Sequence, residues 1–158
     1  MNILYIHGLH SMPRPDRLGY LQQKGHQTFA LHIDYEKEPN TFELLKQHAI
    51  EHQINYIVGS SAGGYIGYWL GHELGIPQLL LNPAVAMRDI EADLGRAIPI
   101  QPNVKSWVAL GLNDDIIPRE PTLNFFKSKP NHQIMTCHWL AHEIDFESFK
   151  SIIDWSGL

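Results

Sequence analysis

Ile57-Val58-Gly59-Ser60-Ser61-Ala62-Gly63 holds the end of an apolar run, a turn and the start of a helical pattern within a few residues. Glycine, serine and glycine stand at 59, 61 and 63. A strand that turns abruptly into a helix exposes the central hydroxyl, and side chains at the flanking positions would collide with the neighbouring strand and helix. Ser61 is therefore the candidate nucleophile. Ser60 fits no such frame, because no glycine stands two residues to either side of it.

Downstream, Ile66, Trp69, Leu70 and Leu74 recur at helical spacing as far as Gly75, and Gly67 and Gly71 would let that helix lie close to a sheet. Residues 78–82 read as a strand. Pro83 then opens a connection of roughly 20 residues, part of it helical, that leads to a strand at 104–110. The pattern predicts a helix over 119–127, a strand over 132–138 and an amphipathic helix over 144–155. Upstream lie a strand at 2–7, a helix at 15–24 ending at Gly25, and a strand at 28–34. A helix capped by Asn40 or Thr41 runs to His52, with Phe42, Leu44, Leu45 and Ile50 as its apolar side. This alternation predicts an α/β fold of about six mostly parallel strands with helices on both faces, one domain over 1–158 and no large cap.

In an open parallel sheet, functional groups gather at the carboxyl ends of the strands. His7-Gly8-Leu9, Ser61, Asn82, Asp114 with Asp115, and His142 each follow a strand. A serine hydroxyl needs a base to take its proton, and the base needs an acceptor that fixes its tautomer. Ser61, Asp114 and His142 supply these in the chain order Ser, Asp, His. Asp115 is the rival acid, read otherwise as a turn residue facing solvent. The backbone N–H groups of Leu9 and Ala62 are the candidate oxyanion donors: one follows the permissive Gly8, the other opens a helix. His7 and His10 are expected to be structural or to line the pocket.

The 158 residues are 44% hydrophobic with a formal charge of -5, and no lysine or arginine run breaks the mixed charge pattern. That argues against a nucleic-acid or anionic-membrane surface and favours small-molecule or acyl substrates. No apolar run reaches the roughly 20 residues that a membrane span needs. A single cysteine, Cys137, excludes an internal disulfide and reads as a core residue. The first residues are too short and uncharged for a secretory signal, so a cytoplasmic protein is expected. Among ten histidines, His48/His52 and His138/His142 have four-residue spacing. The first pair reads as part of a solvated helix face and the second straddles a strand end and a loop, so no metal site is expected.

With His7-Gly8-Leu9-His10-Ser11, Gly59-Ser60-Ser61-Ala62-Gly63-Gly64, Asn82-Pro83-Ala84-Val85, Gly111-x-x-Asp114 and His142 in order, the chain resembles the α/β-hydrolase superfamily. More narrowly, it is similar to the small bacterial YqiA-type esterases over essentially its whole length. The resemblance implies Ser61 as nucleophile, Asp114 as acid, His142 as base, and the Leu9 and Ala62 amides as the oxyanion hole. It also implies cofactor-free hydrolysis of small esters or thioesters, with acyl-CoA among the candidates. The chain departs from those relatives at His138-Trp139-Leu140-Ala141, where small residues are usual before the histidine. Met12, Val85, Met87, Trp139 and Leu140 are the expected walls of the acyl pocket. The alternatives are an amidase or peptidase using the same triad, and a non-catalytic binding module on this scaffold.

Overall fold

The computed structural model describes residues 1–87 and 97–158. Six strands, β1 (Asn2–Ile6), β2 (Gln27–Phe29), β3 (Tyr56–Ser60), β4 (Gln78–Leu81), β5 (Ser106–Asn113) and β6 (His132–Ala141), form one sheet in the order β2-β1-β3-β4-β5-β6. Every pairing is parallel. Among the described residues, five helices connect and close the strands: α1 (Pro15–Gln23), α2 (Thr41–Glu51), α3 (Ala62–Leu74), α4 (Arg119–Lys127) and α5 (Phe146–Ser156).

Alternation along the strands assigns residues to two cores. Ile3 and Tyr5 of β1 pack with Val58, Leu79, Leu81 and Cys137 against Leu21 of α1 and Phe149, Ile152 and Ile153 of α5. Leu4 and Ile6 point the other way, onto Phe42 and Leu45 of α2 and Ile66 and Leu70 of α3. Farther along that face, Leu80, Val108 and Leu110 meet Tyr68 of α3 and Phe126 of α4. Coverage on both faces explains why Leu79, Leu80 and Leu81 are all fully buried. Each contributes about 1.5–3 kcal/mol of apolar burial.

Local signals set the helix ends. Pro15 opens α1, and Asp145 caps α5 by accepting from Ser148 N at 2.9 Å. The strand order reverses between β1 and β3, so the crevice at their carboxyl ends falls beside Ser61.

The elbow at Ser61 depends on close backbone approach. A Cβ on Gly63 would stand 2.3 Å from the backbone oxygens of both Ile6 and His7. Neither atom can yield without moving β1, so Gly63→Ala is expected to cost roughly 3 kcal/mol. Gly19 is the internal control: it lies within α1, and an added Cβ meets nothing within 4 Å. Gly19→Ala should raise stability by about 0.5–1 kcal/mol. Urea unfolding of the two variants, displaced in opposite directions, checks both.

Several features differ from expectation. β2 ends at Phe29 instead of continuing to residue 34, because the chain leaves the sheet there. Ile33 N–H is given to the His7 ring, and Asp34 O accepts from Lys37 N and Glu38 N in a turn. β6 continues to Ala141, three residues beyond the expected end. Its register opposite β5 jumps from Gly111↔Cys137 to Asn113↔Ala141, so His138, Trp139 and Leu140 together oppose Leu112. Finally, α2 buries Phe42, Leu45 and Ala49, whereas Leu44 and Ile50 are exposed. The connection expected to be partly helical after Pro83 lies partly outside the described residues.

Candidate active site

Ser61 occupies the junction of β3 and α3 with φ 55° and ψ -119°, a conformation that costs a non-glycine residue energy. Hydrogen bonds hold it on both sides. Ser61 N–H donates to Leu81 O at 2.9 Å, and Ser61 O accepts from Gly64, Tyr65 and Ala84 amides at 2.9, 3.1 and 3.0 Å. Ala62 is the first residue of α3, so its N–H has no partner within that helix. The loop after β1 passes directly beside the serine: a Cβ on Gly8 would lie 3.3 Å from Ser61 Cβ and 3.9 Å from its Oγ.

His7 shapes that loop. Its Nε2 accepts Ile33 N–H at 3.1 Å, which leaves the hydrogen on Nδ1 for Gly8 O at 2.7 Å. Tyr35 O–H donates to His7 O at 2.6 Å, and the two rings stack with centroids 5.0 Å apart. Because a trans peptide points its C=O and N–H in opposite directions, the grip on Gly8 O turns Leu9 N–H away from the His7 ring. Burial lowers the His7 pKa, the Gly8 hydrogen bond partly opposes this, and nearby His32 lowers it further. The neutral ring is thus a structural element, as expected. His10 is exposed at the cavity rim beside Glu36.

On the other side, His142 Nδ1 lies 3.1 and 3.0 Å from the two carboxylate oxygens of Asp114. The Asp114 side chain is only 2% exposed and its Oδ1 also accepts from Ile116 N at 2.9 Å and Ile117 N at 2.8 Å. Burial pushes its pKa up, but the His142 hydrogen bond and the two amides outweigh that, leaving it below the ordinary carboxylate value. Asp115, the rival, is exposed. With Nδ1 committed to Asp114, His142 keeps Nε2 for other work. Ser61, His142, Gly8 and Leu9 line one cavity of about 650 Å³. No hydrogen bond joins Ser61 Oγ to His142 among the described residues.

Two side chains pin the chain on either side of His142. Asn82, 1% exposed and itself at φ 43°, accepts Gly111 N–H at 2.7 Å and donates Nδ2 to Ala141 O at 2.9 Å. Gly111 permits this closeness, since a Cβ there would stand 2.3 Å from Leu140 O. Beyond the histidine, Arg17, 5% exposed, donates Nη2 to Ile144 O and Nη1 to Tyr5 Oη at 2.8 Å. Its guanidinium lies 5.2 Å from the centre of the Phe149 ring. The sequence marked Asn82 as a polar residue after a strand and as part of the Asn82-Pro83-Ala84-Val85 stretch of the resemblance, and Arg17 not at all. The available signal for Arg17 was its place between the core-facing positions of α1. Asn82→Asp keeps an acceptor for Gly111 and tolerates positive φ, yet sets a carboxylate oxygen against Ala141 O. It is expected to cost about 1–3 kcal/mol and to lower turnover with little change in KM, as steady-state kinetics and urea melts will show.

Of the expected pocket walls, Met12 lines the cavity. Leu140 is buried in the core on the α1/α5 face, Val85 and Met87 pack against the opposite core, and Trp139 is 62% exposed. The extension of β6 is the reason: it turns residues 138–141 from a loop into strand, so alternation sends Leu140 inward and Trp139 outward. Cys137 is buried, as expected, and burial raises its pKa. Gly67 and Gly71 of α3 pack on Ile57 of β3 and Gln78 of β4, the helix-to-sheet contact their spacing implies. Among the described residues no helix is long and apolar enough to cross a membrane.

A parallel sheet covered on both faces, with a serine elbow after β3 and an Asp–His pair after β5 and β6, is the α/β-hydrolase fold. Residues 2–101 match the family described as "Uncharacterised protein family (UPF0227)", and the chain belongs to that family. Solved structures share the fold at low identity. MGS-MChE2, an α/β-hydrolase enzyme from the metagenome of sediments of the Mar Chica lagoon in Morocco, is 13% identical, with 99% of this chain and 89% of that chain covered and a TM-score of 0.77. The monoacylglycerol lipase of Paleococcus ferrophilus is 15% identical, with 98% and 93% covered and a TM-score of 0.77. Est1E from Butyrivibrio proteoclasticus, solved with ferulic acid bound, is 13% identical, with 98% and 87% covered and the same TM-score.

Proposed function

We propose that this protein is a cytoplasmic, cofactor-free serine hydrolase of small carboxylic esters or thioesters, acting as a single domain. The observation that carries the reading is the buried Asp114 carboxylate held against His142 Nδ1 at the rim of the cavity that Ser61 also lines. In this scheme His142 Nε2 takes the Ser61 proton as Oγ attacks the acyl carbonyl carbon. The carbonyl electron pair moves to oxygen, where the Leu9 and Ala62 amides stabilise it. Collapse expels the alkoxide or thiolate, which takes the proton from His142 and departs as alcohol or thiol. Water repeats the sequence on the acyl-enzyme, releases the acid and restores Ser61.

The likeness of the fold to a monoacylglycerol lipase and to Est1E, a protein solved with ferulic acid bound, supports this choice of bond. The cavity volume lies within the range of small-ligand sites, which supports a small-molecule substrate. Matched butyryl ester, thioester and anilide substrates test it. Turnover of the ester or thioester with a negligible anilide rate is expected. A faster anilide would instead assign an amidase, and no turnover of any would return the chain to the binding-module reading.

A further inference from the structure

The last turn of α2 carries chemistry that the catalytic cavity does not use. His48, Glu51 and His52 stand at i, i+3 and i+4, and one ligating atom from each lies within 4.8 Å of the others. The sequence reading set this pair on a solvated face. Instead, both imidazoles are half-buried beside Phe29, and the two rings approach to 4.3 Å between centroids. The His52 ring stacks on Phe29 at 4.5 Å and 27°, which fixes its orientation before any ligand arrives. His48 Nε2 is shut off from solvent and has no hydrogen-bond partner. Buried ring nitrogens ordinarily have one, so this nitrogen is missing an interaction that a metal could supply.

We infer that His48, Glu51 and His52 form a divalent zinc site on the carboxyl-terminal turn of α2. Two imidazole nitrogens and one carboxylate oxygen suit zinc, and not the all-oxygen shells of magnesium or calcium. Tetrahedral zinc with these donors needs ligand atoms roughly 3.3 Å apart. The present spacing, up to 4.8 Å, puts that geometry within reach of side-chain rotation of His48 and of the exposed Glu51. Water completes the coordination. The site is remote from the proposed chemistry: Asn2 Nδ2 donates to His52 O at the amino end of β1, whereas Ser61 lies beyond the carboxyl ends of the strands. Its effect is therefore on the fold, where a bound ion ties the end of α2 together beside β2 at the sheet edge.

The test uses the full chain without an affinity tag, stripped with a chelator and titrated with zinc chloride by calorimetry. Cobalt(II) absorption reports the geometry. One equivalent is expected to bind with a dissociation constant on the order of 10 μM, with intense tetrahedral cobalt bands. Saturating zinc should raise Tm by roughly 5 °C, and magnesium should not. His48→Ala and His52→Ala should each weaken binding at least tenfold, and Glu51→Gln about threefold. Glu51→Gln alters an exposed side chain, so it keeps the test open even if a histidine variant fails to fold. His142→Ala should bind zinc as the parent does. Loss of binding in His142→Ala, unchanged binding in the α2 variants, or no binding by the parent would each overturn the proposal.

Discussion

Ser61→Ala is expected to lower kcat by on the order of 10⁵-fold or more, because Ser61 is the nucleophile of the proposed mechanism and its removal would leave only what the proposed oxyanion donors and substrate binding contribute. Stability should hardly change. The strained φ of 55° and the four backbone hydrogen bonds at position 61 belong to the main chain and remain in the variant. The two readouts separate chemistry from folding: turnover measured on an activated short-chain ester collapses, while the urea midpoint stays near that of the parent. A variant that kept parental kcat would remove Ser61 from the mechanism.

The second large effect falls on Asp114. In Asp114→Asn the remaining carbonyl can still accept from Ile116 and Ile117, so the turn after β5 should persist. What changes is the partner offered to His142. An amide NH₂ facing Nδ1 favours the tautomer with hydrogen on Nε2, which is the wrong one for accepting the Ser61 proton. In serine triads this substitution lowers kcat by about 10⁴-fold. The same residue links stability to acid. Its folded pKa lies below the ordinary value, so its contribution is fully present above the unfolded carboxylate pKa and disappears as pH falls through the lower folded value. Urea midpoints measured from pH 6 down to pH 3 should therefore fall more steeply for the parent than for Asp114→Asn. Parallel curves would mean that Asp114 is not held as a carboxylate by these partners.

The framework was legible because its signals were local and redundant. α3 begins and ends where the glycine frame and Gly75 imply, and α4 matches its expected span of 119–127. The Asp114–His142 pair is also where chain order places it, since both groups follow strands that are neighbours in the sheet. What escaped notice depended on contacts between distant residues. β6 is extended by pairing with β5 across an irregular register, which local pattern cannot reveal, and that extension moved Trp139 and Leu140 out of the expected pocket. Arg17 reaches across 127 residues to Ile144. The buried stripe of α2 is not legible in the sequence because Leu44 and Ile50 are as apolar as Leu45, and only packing against Leu4 and Ile57 decides which are covered.

The central claim is that Ser61 is chemically activated by the folded site. Exposure of the native protein to a fluorophosphonate probe, followed by intact-mass measurement and peptide mapping, tests it most directly, with heat-denatured protein as control. A single adduct on Ser61 in the native protein, absent after denaturation and strongly slowed in His142→Ala, is the predicted result. Native, folded protein that gains no adduct, or gains it elsewhere, would contradict the account.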